Sequence, residues 1–104
     1  MTVNKSAISI LGQTPLGDAV TLRCSVASQP TLRLRADDFV LANVTVLNDA
    51  NGYVIGKNYA LYIDGGDRAA FFYASFYGAQ DTIYTGMQRA YFSRSTINGR
   101  CAVA

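Results

Sequence analysis

The sequence predicts an all-β chain of short strands, and three observations carry that reading. Apolar residues alternate with polar ones over short runs and do not follow a helical period. Pairs of Gly, Asn and Asp punctuate those runs. No stretch offers ten residues of helical spacing with caps at its ends. The composition agrees: only two prolines, 15% charged residues, and abundant Val, Ile, Thr, Phe and Tyr, the residue types that suit a pleated, half-buried surface.

Taken in order, residues 7–11 alternate and run into Gly12, and residues 18–24 repeat the pattern. Residues 31–35, Thr-Leu-Arg-Leu-Arg, read as a strand with one inward and one outward face, closed by Asp37-Asp38. A run over 39–47 follows and ends at Asn48-Asp49. Further runs cover 59–63, 68–77 and 90–97. Between and after them stand Asn51-Gly52, Asp64-Gly65-Gly66-Asp67 and Asn98-Gly99, all of them turn chemistry.

Three tetrads look alike: Asn43-Val44-Thr45-Val46, Tyr73-Ala74-Ser75-Phe76 and Arg94-Ser95-Thr96-Ile97. Each has a small polar residue third and a large apolar residue fourth. Val46 and Phe76 are 30 positions apart, Phe76 and Ile97 21, which suits a solenoid whose coils keep their strands and vary their loops. A sandwich tolerates the same spacing, so both architectures stand at this point, with a modest edge to the β-helix.

A chain of 104 residues accommodates one domain. Half the residues are apolar, which sets it apart from a disordered tail. The net charge of +2 is too small to point to nucleic acid, and the alternating Arg33 and Arg35 read as one solvated strand face. There is no histidine, which removes imidazole acid–base chemistry, Ser-His-Asp triads and imidazole metal sites. Cys24 and Cys101 match no metal spacing and read as two small buried thiols. No metal and no cofactor is therefore expected. No apolar run reaches the roughly 20 residues of a membrane span. Residues 1–5 do not open on a charged segment followed by an apolar one, which leaves a cytoplasmic protein or a mature or trimmed chain as alternatives. Asn4-Lys5-Ser6 and Asn43-Val44-Thr45 form glycosylation triplets of a kind that often arises by chance.

Several motifs carry a family resemblance. Ile8-Ser9-Ile10-Leu11-Gly12-Gln13-Thr14 is similar to the early strand and turn of pectin methylesterases, especially the fungal ones. Thr31-Leu32-Arg33-Leu34-Arg35-Ala36-Asp37-Asp38-Phe39, followed by Ala42-Asn43-Val44-Thr45-Val46, resembles that family's next coils. The most specific match is Gly66-Asp67-Arg68-Ala69-Ala70-Phe71 with Ser75-Phe76-Tyr77-Gly78-Ala79-Gln80-Asp81-Thr82-Ile83-Tyr84. The likeness runs from about Ser6 to Arg100 and covers a middle part of a longer domain. It implies a right-handed, single-stranded parallel β-helix of the pectin-lyase-like type, truncated, with residues 1–104 as one partial domain. Val44, Val46, Ala74, Phe76 and Ile97 would then occupy repeated positions along one sheet.

The resemblance also implies the chemistry. In the family an aspartate attacks the methyl ester of galacturonate, a second aspartate acts as acid and then base, and glutamines donate to the oxyanion. Carried over, Asp81 matches the acid/base and Gln80 one oxyanion donor. Lys57 stands where the other glutamine belongs, three positions before Ala60-Leu61, so that a mobile point charge replaces an amide. Tyr84 and Thr82 fall on the binding side. The nucleophile's position, after Ile97-Asn98-Gly99-Arg100-Cys101, holds Ala102, and the family's orienting arginine lies beyond residue 104. Without the resemblance, Gln80-Asp81-Thr82 reads as a turn satisfied by its own aspartate. Tyr84, Tyr91 and Phe92 flank a sugar cleft on one reading; on the other, alternate members of Phe71-Phe72-Tyr73 and Tyr91-Phe92 fill the interior.

Three functions follow: an impaired pectin esterase, a module that binds pectin or a related polysaccharide without cleaving it, and a self-assembling solenoid. The resemblance implies a secreted protein. A short solenoid with exposed end coils is expected to form a homo-oligomer.

Overall fold

The structure, a computed structural model, describes residues 1–13, 20–25, 29–50, 59–78 and 82–99. Among them are twelve short strands: β1 (Thr2–Val3), β2 (Ser9–Leu11), β3 (Val20–Cys24), β4 (Leu32–Arg35), β5 (Phe39–Ala42), β6 (Val44–Asn48), β7 (Leu61–Gly65), β8 (Ala69–Phe72), β9 (Ser75–Tyr77), β10 (Ile83–Tyr84), β11 (Ala90–Ser93) and β12 (Thr96–Asn98). Every third strand joins the same sheet. The first sheet has the order β1-β4-β7-β10, the second β11-β8-β5-β2 and the third β12-β9-β6-β3. All the pairings are parallel. The chain is a parallel β-helix in which each coil places one strand on each of three faces, and the sandwich alternative is set aside.

Register explains why the alternation folds this way. Every second residue of a strand points inward, and parallel pairing stacks like positions coil upon coil. One inward column on the second sheet runs Ile10, Leu41, Phe71, Phe92. Another on the third sheet runs Leu22, Val46, Phe76, Ile97. Leu32, Leu61 and Ile83 do the same on the first. Leu41, Val46, Phe71, Phe76, Leu61 and Ile83 are fully buried in one core; each such side chain contributes about 1.5–3 kcal/mol through removal from water. Phe71 stacks on Phe92 at 4.7 Å and meets Phe76 edge-on at 5.5 Å. Phe72 faces outward with Tyr91, and Tyr73 is exposed. Phe71 and Phe92 thus fill the interior while Phe72 and Tyr91 face out, and Tyr73, where alternation alone would turn inward, sits exposed at a corner.

The repeated tetrads coincide with one structural unit. Their third residues, Thr45, Ser75 and Thr96, form an outward hydroxyl column that Thr21 of β3 extends. Their fourth residues make the inward column just given. Their first residues, Asn43, Tyr73 and Arg94, all have left-handed backbone, with φ of 56°, 49° and 48°. This corner, one or two residues long, splits each of the expected runs 39–47, 68–77 and 90–97 into two strands on different sheets. The sequence shows no break there because non-glycine residues occupy the corner. Its geometry repeats through coil-to-coil bonds, Asn43 N–H to Phe72 O at 2.9 Å and Tyr73 N–H to Ser93 O at 3.0 Å. Gly12 stands one coil before Asn43, and a Cβ there would lie 2.0 Å from the Asn43 carbonyl oxygen. The Asn43 amide, whose nitrogen the sequence triplet marks, donates to Gly12 O at 3.0 Å. A second left-handed corner, Ala7, Asp38 and Arg68, joins the first sheet to the second.

Two strands, β1 and β10, fall outside the expected runs, and each is only two residues long. Cys24 is a free thiol and only half-buried, so the buried reading does not hold for it. It lies near an end of the solenoid, where no second coil covers β3 among the described residues.

Candidate functional site

The outer face of the first sheet gathers the side chains with the most to offer a ligand. Thr2, Arg33, Tyr62 and Tyr84 share one column by register. They face out because their neighbours Leu32, Leu34, Leu61, Ile63 and Ile83 point into the core. Tyr62 and Tyr84 stack with centroids 4.6 Å apart and planes 17° apart. Tyr59 closes on them edge-on, 4.8 Å from Tyr62 and 6.2 Å from Tyr84. The Arg33 guanidinium caps the other side of Tyr62 at 5.3 Å, within reach of a cation–π attraction. Asp64 receives both Arg33, at 2.5 Å, and Arg35, at 3.0 Å. The bonds from Arg33 and then Arg35 hold its carboxyl down from 3.8 to about 2, so it stays ionised at any ordinary pH.

Thr82 lies at the edge of this face but points inward. It is fully buried, and its hydroxyl donates to Asn98 O at 2.9 Å, with Gly78 O at 3.2 Å. A hydroxyl spent on two backbone carbonyls holds the chain in place instead of presenting itself to a ligand. Gln80, Asp81, Lys57, Ala102 and Cys101 lie outside the described residues. Their flanks converge, however. Ala60 and Leu61 donate to Thr82 O at 2.8 and 3.1 Å, and Gly78 N–H donates to Asn98 O at 3.2 Å. The described ends next to 57, 80–81 and 100–102 thus meet through Thr82.

Sequence reasoning reached Tyr84 and missed Tyr62, Tyr59 and the sharing of Asp64. A signal for Tyr62 was present. Leu32-Arg33-Leu34, Leu61-Tyr62-Ile63 and Ile83-Tyr84 repeat one apolar–outward pattern at spacings of 29 and 22, close to the 30 and 21 of the tetrads. Among the described residues no three Cys, Asp or Glu side chains converge on a metal-sized site. A pocket of about 310 Å³ lined by Arg68, Ala70, Arg89 and Tyr91 opens on the second sheet; of the candidate sugar-cleft residues it includes Tyr91 alone, away from Tyr84 and Thr82.

Comparison with known proteins adds sequence kinship to this geometry. The family model for Pectinesterase matches residues 4–103. The chain is 39% identical to "Probable pectinesterase 55" of Arabidopsis thaliana over 83 residues, covering 72% of this chain and 25% of that protein. It is 33% identical to "Probable pectinesterase A" of Aspergillus fumigatus over 75 residues, covering 72% and 22%. "Probable pectinesterase 29" of Arabidopsis thaliana shares 37% over 82 residues, covering 72% and 24%. The chain therefore spans about a quarter of the length of the curated relatives it matches. No solved structure matches it significantly.

Proposed function

The chain belongs to the pectinesterase family, and from that premise we propose that it recognises pectin along the outer face of the first sheet while ester hydrolysis is impaired. The observation that supports this most is the Tyr62–Tyr84 stack beside Arg33. Tyrosine offers an apolar ring surface together with a polar hydroxyl, a pairing that suits a sugar ring and its hydroxyls. In this reading residues 1–104 act as one partial domain of a secreted protein, working without metal or cofactor, with polysaccharide as the partner in place of nucleic acid or membrane.

The chemistry follows from the residues that carry over. Asp81 takes the acid/base role, Gln80 an oxyanion donor's and Lys57 that of a second, cationic donor, while Tyr84 belongs to the binding face. Thr82 ties its own backbone to the neighbouring coil through Asn98 O. At the nucleophile's position, Ala102 has no atom that can attack a carbonyl. Without a nucleophile the covalent route closes, and electrostatic help alone leaves a small residual rate.

Two measurements test this together. The chain is expected to be retained on esterified pectin, to lose retention in Tyr84→Ala, and to release no methanol above background. Methanol release that disappears in Asp81→Ala would overturn the impairment, and Cys101 would be the first nucleophile to examine, since thiolates are strong ones. Absence of retention would overturn the binding reading and favour the second one, a self-associating solenoid. That second reading draws on the greater exposure of the end strands: the middle strand β8 alternates buried and half-buried positions, whereas β11 contains no buried residue.

A further inference from the structure

Ion pairs elsewhere on the surface balance. Arg23 pairs with Asp49, and Arg68 and Arg89 with Asp38 and Asp67. At Asp64 they do not, because Arg33 and Arg35 share the single carboxylate. Among the described residues this cluster carries one positive charge in excess. Two guanidiniums hold ten N–H groups, and four donor–acceptor contacts go to Asp64: Arg33 Nε and Nη2 at 3.2 and 2.5 Å, Arg35 Nε and Nη2 at 3.0 and 3.0 Å. Both Asp64 oxygens are thereby occupied, while Nη1 of each arginine has no partner among the described residues. The Arg35 side chain is 49% exposed and that of Arg33 34%.

We propose that Arg33 and Arg35 form a carboxylate-recognising subsite beside the Tyr62–Tyr84 stack, so that the face selects de-esterified, anionic galacturonate units over methyl-esterified ones. This rests on the reading that the first sheet's outer face binds the polysaccharide. A uronate presents a ring face and, beside it, a carboxylate; the column presents tyrosine rings and, beside them, a guanidinium with free donors. Arginine pairs with a carboxylate through two parallel bonds, and a charge-assisted bond is about twice as strong as a neutral one. Esterification removes that charge, so an ester keeps the ring contact and loses the ionic one. Preorganisation favours the subsite as well. Asp64 fixes both guanidiniums and Tyr62 seats one of them, so little side-chain freedom is lost on binding.

The test compares polygalacturonate with highly methyl-esterified pectin by calorimetry, on the intact chain at low salt. Polygalacturonate is expected to bind about tenfold tighter, which corresponds to about 1.4 kcal/mol, and the preference should shrink as salt rises. In Arg35→Gln the ratio should fall toward one while binding of the esterified polymer persists, and in Arg33→Gln with Arg35→Gln the ratio should fall further. Arg68→Gln, which removes a balanced pair, should leave the ratio unchanged. Melting temperatures of the variants distinguish a lost subsite from a lost fold, and the half-exposed Arg35 supplies the milder change. Equal binding of the two polymers, or a preference that survives in the double variant, overturns the subsite while leaving pectin recognition standing. If neither polymer binds, the reading of this face falls and the subsite falls with it.

Discussion

The Thr82 hydroxyl donates to the Asn98 carbonyl at 2.9 Å, and this contact ties the strand that enters the first sheet to the end of β12 on the third. Gly99 fits against it so closely that a Cβ there would lie 2.0 Å from Thr82 Oγ1 and 2.5 Å from Gly78 O. Thr82→Val keeps the shape but removes the hydroxyl bond to Asn98 O, which retains Gly78 N–H as a donor, at a cost of about 0.5–1.5 kcal/mol. Gly99→Ala forces backbone to move and should cost about 1–3 kcal/mol through overpacking. Urea unfolding measures both; wild-type midpoints would show that the clamp carries no weight.

Ala7 offers a direct test of the corners. Its φ is 59°, where an L-residue is disfavoured by about 1–2 kcal/mol, and its side chain is exposed. Ala7→Gly should therefore raise stability by about 0.5–1 kcal/mol, even though glycine usually adds freedom to the unfolded chain. A lower melting temperature would show that the corner is not strained. Asn43, which tolerates this conformation better than Tyr or Arg, should show no such gain on change to glycine, because its amide bond to Gly12 would also go.

These corners also mark where the sequence stops being legible. Alternation revealed inward and outward positions, and the tetrads revealed the stacking of Val46, Phe76 and Ile97, because both are local patterns. Bends at Tyr73 and Arg94 leave no such mark, since stacking between coils holds them and not a glycine or proline. The site shows the same division. Asp81, Gln80 and Tyr84 were visible through a motif, whereas Tyr62 and Tyr59 acquire meaning only when parallel pairing sets them against Tyr84. Arg33 and Arg35 read as a solvated pair until register brought Asp64, 29 residues from Arg35, between them.

Phe71 and Phe72 are neighbours with opposite fates, and truncating each separates core from surface. Phe71 is fully buried among Phe39, Phe76 and Phe92, so Phe71→Ala should cost about 3–5 kcal/mol. Phe72 faces out against Tyr91, and Phe72→Ala should cost about 1 kcal/mol or less. Chemical denaturation of the pair decides it; equal losses would contradict the assigned register.

Stability should be flat near neutrality and fall in acid. Asp64 titrates near 2 instead of 3.8, and Asp38, Asp49 and Asp67 are shifted the same way, chiefly by hydrogen bonds from Arg68, from Ser25 and from Arg89 respectively. A carboxyl whose folded pKa is depressed contributes stability above its unfolded pKa and loses it as pH falls through the folded one. The melting temperature should thus hold down to about pH 4 and drop toward about pH 2. Asp64→Asn should lower the neutral plateau and soften the acid slope. A melting temperature unchanged down to about pH 2 would mean these pairs do not discriminate between folded and unfolded states.

Burial fades from the middle coils outward, and this bears on how the 104-residue polypeptide behaves alone. Phe71 and Phe76 are fully buried, while Phe92 and Ile97, next in the same columns, are only partly covered. Among the described residues β11 and β12 pair on one side only, with β8 and β9, so the other edge presents unsatisfied backbone groups and an open apolar end. Such edges pair readily with another strand, and two copies meeting end to end would cover both the edge groups and the exposed rings. The polypeptide should therefore form a dimer or larger assembly whose contacts include residues 90–99. Sedimentation over a range of concentrations, with hydrogen exchange on the same samples, tests this. Mass should rise with concentration as the β11 and β12 amides become protected. A monomer at every concentration, with those amides exchanging freely, would show that the end coil is stable without a partner.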